Sequence, residues 1–199
     1  IQTALLAGTP EAAVQSAKEV YRKMVTTLGK GIDESWVSRY LTLKHNIDVL
    51  RMHPKRVITG GLKSIQEAEA LLAEMSQALG ADGMKTVEQS ARVVADHYRI
   101  LLERKVQSGL VERELADQLS NTYQWYNPIK YIDDLARYTD TGGKRISVTK
   151  NGLQRLSELG SEAATEDPMN ALVTATLKDE MLIQRNNAAK AIIKLAEID

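Results

Sequence analysis

Residues 29–41 read GKGIDESWVSRYL and combine two helix-ending glycines with a residue that can begin a new helix. Glycine adopts the left-handed backbone conformation that closes helices, so Gly29 and Gly31 predict the end of a preceding helix. The side chain of Asp33 can then accept hydrogen bonds from the first free amides of a second helix. The stretch therefore predicts a helix, a glycine turn and a capped helix in succession.

The sequence on both sides of this stretch predicts a chain built almost entirely of helices. Thr9 and Pro10 are typical of a helix start and predict a helix over residues 10–28. After Asp33, the apolar residues Val37, Tyr40 and Leu41 recur at helical spacing and are expected to be buried. Ser64 or the residue before it opens a helix that Gly80 ends, followed by a turn at residues 81–83. Later helices are predicted over about 86–106, 110–126 and 170–198.

Residues 131–160 differ from this helical pattern. RISVT, at 145–149, alternates polar and β-branched residues after a Gly-Gly turn, which is typical of a short strand. The predicted fold is therefore mainly α, a multi-helix domain containing a helix-turn-helix, with a small β-wing near residues 140–150.

Composition excludes several classes of protein. The 199 residues are 43% hydrophobic and 26% charged, as in ordinary soluble domains, and no apolar run is long enough to span a membrane. The chain has no cysteine, which excludes disulfides and favours a reducing, cytoplasmic location. The three histidines, His45, His53 and His97, lack the spacing of a zinc site and are interpreted as surface residues. No metal or other cofactor is expected.

Charge is unevenly distributed along this formally neutral chain. Residues 15–65 carry ten basic and four acidic side chains, whereas residues 66–125 carry six basic and ten acidic ones. The first segment is therefore a candidate for contact with a polyanion.

The helix-turn-helix pattern predicts how such contact would occur. A reader of this kind presents polar side chains from the first turns of its second helix to DNA. Arg39 can pair bidentately with guanine, worth about 1–3 kcal/mol in discrimination, and Trp36 is expected either to contact the DNA backbone or to lock the helix onto the domain. Lys30, Ser35, Trp36, Ser38, Arg39, Thr42, Lys44, Lys55, Arg56 and Lys63 are the predicted DNA-binding residues.

Residues 28–43, LGKGIDESWVSRYLTL, resemble the helix-turn-helix of the ParB/KorB family of partition proteins. The similarity continues through residues 47–50 and 57–59 into the Ala/Glu/Leu-rich helix at 65–75. It implies a DNA-binding region over residues 1–80, with double-stranded DNA and a ParA-type ATPase as partners. The sequence lacks the arginine-rich nucleotide-binding motif that the family uses for CTP, so the resemblance does not imply CTP binding.

The remaining region, residues 81–199, holds two weaker signals. Residues 145–159 resemble the wing strand and following helix of winged-helix regulators, in which Lys144, Arg145 and Lys150 would touch phosphate; a simple β-turn on a helical domain is the alternative. The apolar stripe of the last helix suits either the core or a homodimer interface.

Two other classes of function are less well supported by the sequence than DNA binding. A helical-bundle sensor domain of a bacterial receptor would use Arg39, Arg92 and Arg185 to clamp a small carboxylate. An enzyme is not expected, because Asp133 and Asp134 are adjacent and would point about 100° apart on a helix, and no nucleophile motif is present.

Overall fold

The computed structural model describes residues 9–54, 62, 64–125 and 168–196. In these residues the chain forms five helices and no strand, which confirms the mainly α-helical fold. The predicted β-wing near residues 140–150 lies outside the described residues. The helices are α1 (Thr9–Leu28), α2 (Ser35–Met52), α3 (Ile65–Gln107), α4 (Arg113–Thr122) and α5 (Pro168–Ala196).

The turn between α1 and α2 forms where the sequence predicts it. Gly29 has a φ of 74° and its amide donates to the carbonyl of Val25 at 3.0 Å, closing α1. Gly31 also has a positive φ, 93°. The Oδ1 of Asp33 accepts the amide N–H of Ser35 at 2.8 Å, so Asp33 satisfies an amide at the start of α2 as predicted. The N-cap position itself is occupied by Glu34, whose side chain makes no capping hydrogen bond.

Helix α3 begins as predicted and continues further than predicted. The Oγ of Ser64 accepts the amide N–H of Glu67 at 3.2 Å, confirming the start. Gly80 has a non-helical backbone, with φ 68° and ψ 174°, and kinks α3 at the predicted stop. The predicted turn at residues 81–83 is wrong, because these residues are helical. Leu79 and Met84, on either side of the kink, both pack against the same core, which holds the two helical segments end to end.

Helix α3 is the centre of the fold, and the other four helices all pack against it. Helix α1 also packs along α5, and α1 and α2 contact α3 more extensively than they contact each other. The main hydrophobic cluster contains residues from both of the predicted regions, 1–80 and 81–199. Its largest fully buried members are Met24, Leu41, Met75, Tyr98, Leu101 and Leu172.

A short segment after α4, residues 123–125, covers the contact between α2 and α3. Trp125 is buried, and its ring meets that of Tyr40 edge to face with 5.2 Å between centroids. The guanidinium of Arg92 lies 4.3 Å from the centre of the Trp125 ring. The amide of Trp125 donates to Asp48 Oδ2 at 3.0 Å, satisfying a carboxylate whose burial raises its pKa.

Charged side chains join α3 to α5. Arg104 pairs with the buried Glu180, and Lys105 pairs with Asp179 at 2.5 Å. The second pair is also largely shielded from solvent. These contacts hold the two long helices in one register.

The interpretation of His97 as a surface residue is wrong. Its side chain is buried between α3 and α5, with Nε2 2.8 Å from Thr176 Oγ1. Burial lowers the pKa of His97, and the nearby Arg104 lowers it further, while Asp179 raises it. The local sequence around His97 could not show this, because α5 supplies the covering residues.

We expect the free energy of unfolding to fall when the pH drops below about 6.5, the ordinary pKa of histidine. The unfolded chain binds a proton at His97 more readily than the folded chain, whose pKa for this group is lowered. The contribution is therefore complete above the unfolded pKa and is lost as the pH falls towards the folded one. Urea denaturation from pH 5 to pH 8 measures it. His97→Gln, which can still bond to Thr176, should remove most of this pH dependence, and an unchanged profile would contradict the assignment.

Candidate nucleic-acid interface

The start of α2 presents three of the predicted DNA-binding residues to solvent. Lys30 is exposed in the glycine turn, and Ser35 and Arg39 are exposed in the first two turns of α2. The helix begins at Ser35, so these side chains surround its amino-terminal end. This end carries the positive pole of the helix dipole, which favours anions. The amides of Ser35, Trp36 and Val37 already donate to Asp33 and Glu34.

Two acidic side chains of the turn are held by the protein itself. Hydrogen bonds from the side chain and backbone of Ser35 lower the pKa of the Asp33 carboxyl. The hydroxyl of Tyr21 donates to Glu34 Oε2 at 2.6 Å, which ties α1 to the turn and raises the pKa of Tyr21. Both carboxylates thus have partners within the protein, and the turn has a defined conformation.

Trp36 anchors the start of α2. Its side chain is half-buried and packs against the core. This contact supports the second of its two predicted roles, locking the helix onto the domain. The guanidinium carbon of Arg39 lies 5.9 Å from the centre of the Trp36 ring, within the range of a cation–π contact. Arg39 is therefore exposed but supported by a ring that is fixed in the core.

Ser38 does not face outward as predicted. It is buried, with 6% of its surface exposed, and its carbonyl accepts the hydroxyl of Thr42 at 3.0 Å. Thr42 is half-buried, and its hydroxyl is hydrogen-bonded within its own helix. Helix α2 is covered on more than one side, and the second half of it has five consecutive buried residues, 46–50. The prediction assumed a single buried face.

Lys44 is also less available than predicted. It is half-buried, and its Nζ lies 5.6 Å from the centre of the Trp125 ring and 6.0 Å from that of Tyr40. Both contacts are with aromatic faces inside the α2–α3 junction. The other predicted phosphate contacts, Lys55, Arg56, Lys63, Lys144, Arg145 and Lys150, lie outside the described residues.

Helix α1 contributes basic side chains that the predicted set of contacts omitted. Lys18, Arg22 and Lys23 are all exposed. Their contribution to local charge was visible in the sequence, but nothing in the sequence placed them relative to α2.

The described residues contain no group of three or more histidine, aspartate or glutamate side chains that could hold a metal ion. In the same residues, no helix has the length and apolar character needed to cross a membrane.

The three arginines of the alternative sensor function do not line one common groove. Arg92 lines a groove between α1 and α3, and neither Arg39 nor Arg185 contributes to that groove.

Comparisons of the chain with protein-family models, with curated proteins and with solved structures each find no match. The candidate interface therefore depends on its own geometry and on the sequence resemblance.

Proposed function

We propose that this protein binds double-stranded DNA through the glycine turn and the start of α2. The observation that carries the proposal is the placement of Arg39. Its guanidinium is exposed on the second turn of α2, and Trp36, which is fixed in the core, supports it from below. An arginine held in this way can present its planar donor pair to the edge of a guanine with little further loss of conformational freedom.

The exposed lysines and arginines of the turn and of α1 would supply affinity that does not depend on sequence. Lys30 in the turn and Lys18 and Arg22 on α1 are exposed. Each contact between a cation and a phosphate releases counterions, so binding should weaken steeply as salt is raised. Ser35 is exposed at the amino-terminal end of α2, where the positive pole of the helix dipole would also favour a phosphate. The function requires no chemistry and no cofactor.

The resemblance to ParB/KorB partition proteins supports a more specific proposal. In it, the protein is a cytoplasmic, sequence-specific centromere-binding protein of plasmid or chromosome partition, or a related transcriptional repressor. A ParA-type ATPase would be its partner in partition. Ser38 is buried and is therefore not one of the proposed DNA contacts.

We expect Arg39→Ala to lower the preference for a selected duplex over a scrambled one by about 5- to 100-fold, the loss of one bidentate arginine–guanine contact. Arg51→Ala is the matched control, because Arg51 is an exposed arginine at the other end of α2. It should leave the preference between the two duplexes unchanged. Duplexes are first selected from a random pool, and affinities are then measured by fluorescence anisotropy at low and moderate salt.

Two results would contradict the proposal at different levels. Equal loss of affinity for both duplexes in Arg39→Ala would show that Arg39 contacts phosphate and does not read bases. Absence of binding at low salt would exclude DNA as the ligand of this surface.

We also expect the chain to sediment as a dimer, as proposed for a protein that reads two half-sites. The last turns of α5 expose three large apolar side chains, Ile192, Ile193 and Leu195, a group of the kind found in protein interfaces. Ile193→Glu should give a particle with the 22.1 kDa mass of one chain. Sedimentation equilibrium distinguishes the two, and a monomeric wild-type protein would contradict the expectation.

A further inference from the structure

A groove of about 610 Å³ runs between α1 and the part of α3 that follows its kink. Its volume lies within the range of sites that bind small molecules. Val20 on α1 and Val93 and Ile100 on α3 line it with apolar surface, and the buried His97 also contributes to its lining. Ile100 is 58% exposed, which is unusual for a large apolar side chain on a helix that otherwise forms the centre of the core.

The acidic side chains that line the groove are paired with arginines. Both of its acidic residues have arginine partners, since Glu88 pairs with Arg92 at 3.4 Å and Asp96 pairs with Arg99 at 3.6 Å. Arg92 is further occupied by its contact with the ring of Trp125. The acids are therefore neutralised by groups already in place.

Two lysines on opposite sides of the groove have no such partner. Lys23 extends from α1 and Lys85 from α3, and both line the groove. Among the residues that the structure describes, no ion pair or hydrogen bond involves either side-chain ammonium group. The groove thus combines an apolar wall with two uncompensated positive charges, one on each helix.

We propose that this groove binds a small organic anion with an apolar body, such as a medium-chain or aromatic carboxylate or sulfonate. The ammonium groups of Lys23 and Lys85 contact the anionic group, and Val20, Val93 and Ile100 contact the apolar body. The site is separate from the start of α2, and its binding can be measured without DNA. Failure of the DNA proposal would therefore leave this one standing, and the reverse also holds.

The full chain is titrated with 8-anilinonaphthalene-1-sulfonate, an aromatic sulfonate whose fluorescence rises in an apolar site. Octanoate should displace the probe, and octan-1-ol at the same concentration should displace it less, because the alcohol lacks the charge. Lys23→Met and Lys85→Met should each weaken binding by about threefold, and together by about tenfold, as expected for partly solvated ion pairs. Lys18→Met is the control, since Lys18 is exposed on α1 outside the groove.

A second pair of variants tests the apolar wall. Ile100→Glu should weaken probe binding by more than tenfold, because it removes apolar surface from the wall that contacts the apolar body and places a charge there. Met52→Glu is the matched control, because Met52 is 53% exposed and lies outside the groove. Both positions are exposed, so both variants should fold normally, as circular dichroism will check. Unchanged affinity in Ile100→Glu, equal loss in Met52→Glu, or equal displacement by octan-1-ol and octanoate would each overturn the proposal.

Discussion

Trp125→Ala is expected to lower the free energy of unfolding by about 3–5 kcal/mol, the usual cost of truncating a buried aromatic side chain. Trp125 is 2% exposed and fills the space between α2 and α3 beside Tyr40. Its loss also removes the stacking partner of Arg92, 4.3 Å from the ring centre. Urea denaturation followed by far-ultraviolet circular dichroism measures the change.

The other tryptophan provides the control. Trp36 is half-buried, so Trp36→Ala removes less buried surface and should cost less than half as much. Trp125→Phe keeps an apolar ring in the same space and should recover most of the loss. A cost below about 1 kcal/mol for Trp125→Ala would mean that the 123–125 segment is not part of the core.

The ends of the helices could be predicted from sequence because local chemistry determines them. The conformation of Gly29, the hydrogen bond from Ser35 to Asp33 and the cap at Ser64 each involve residues within three or four positions of one another. Gly80 was predicted, for the same reason, to end the helix, and its backbone is indeed non-helical, but the helix resumes after it. Whether the helix resumes after a kink depends on the surfaces that the two segments bury, and local sequence does not contain that information.

The errors at Ser38 and His97 have a common cause in long-range packing. His97 is buried by Thr176, 79 residues away in sequence, and Asp48 receives the amide of Trp125, 77 residues away. Periodicity shows which residues of a helix are apolar, but it does not show how many sides of the helix are covered. Helix α2 is covered by α3 and by the 123–125 segment, so a serine beside its apolar residues is buried as well.

The candidate interface was predictable in part. Lys30, Ser35 and Arg39 are exposed, as the spacing from the glycine turn predicts, because their side chains lie on the side of this end of α2 that the core does not cover. Lys44 is held between aromatic rings instead, one of them supplied by Trp125 from a distant part of the chain. That these side chains bind DNA remains a prediction, and so does the family resemblance.

Arg104→Met is expected to lower the free energy of unfolding by about 3 kcal/mol, because it leaves the carboxylate of Glu180 without its partner at the α3–α5 junction. The side chain of Glu180 is only 8% exposed, so its carboxylate depends on this partner to compensate for its burial. Methionine keeps the apolar length of the arginine stem, and most of the cost is therefore electrostatic. Urea denaturation at pH 7 measures it.

A double variant separates the unpaired charge from other effects of the substitution. Arg104→Met combined with Glu180→Leu should recover most of the lost stability, because no buried charge then remains. Arg113→Met is the exposed control, since Arg113 pairs with Glu103 at 2.6 Å but both side chains are largely in solvent, and it should cost less than about 1 kcal/mol. If the double variant is as unstable as Arg104→Met, the α3–α5 junction depends on the packing of these side chains and not on the pairing of their charges.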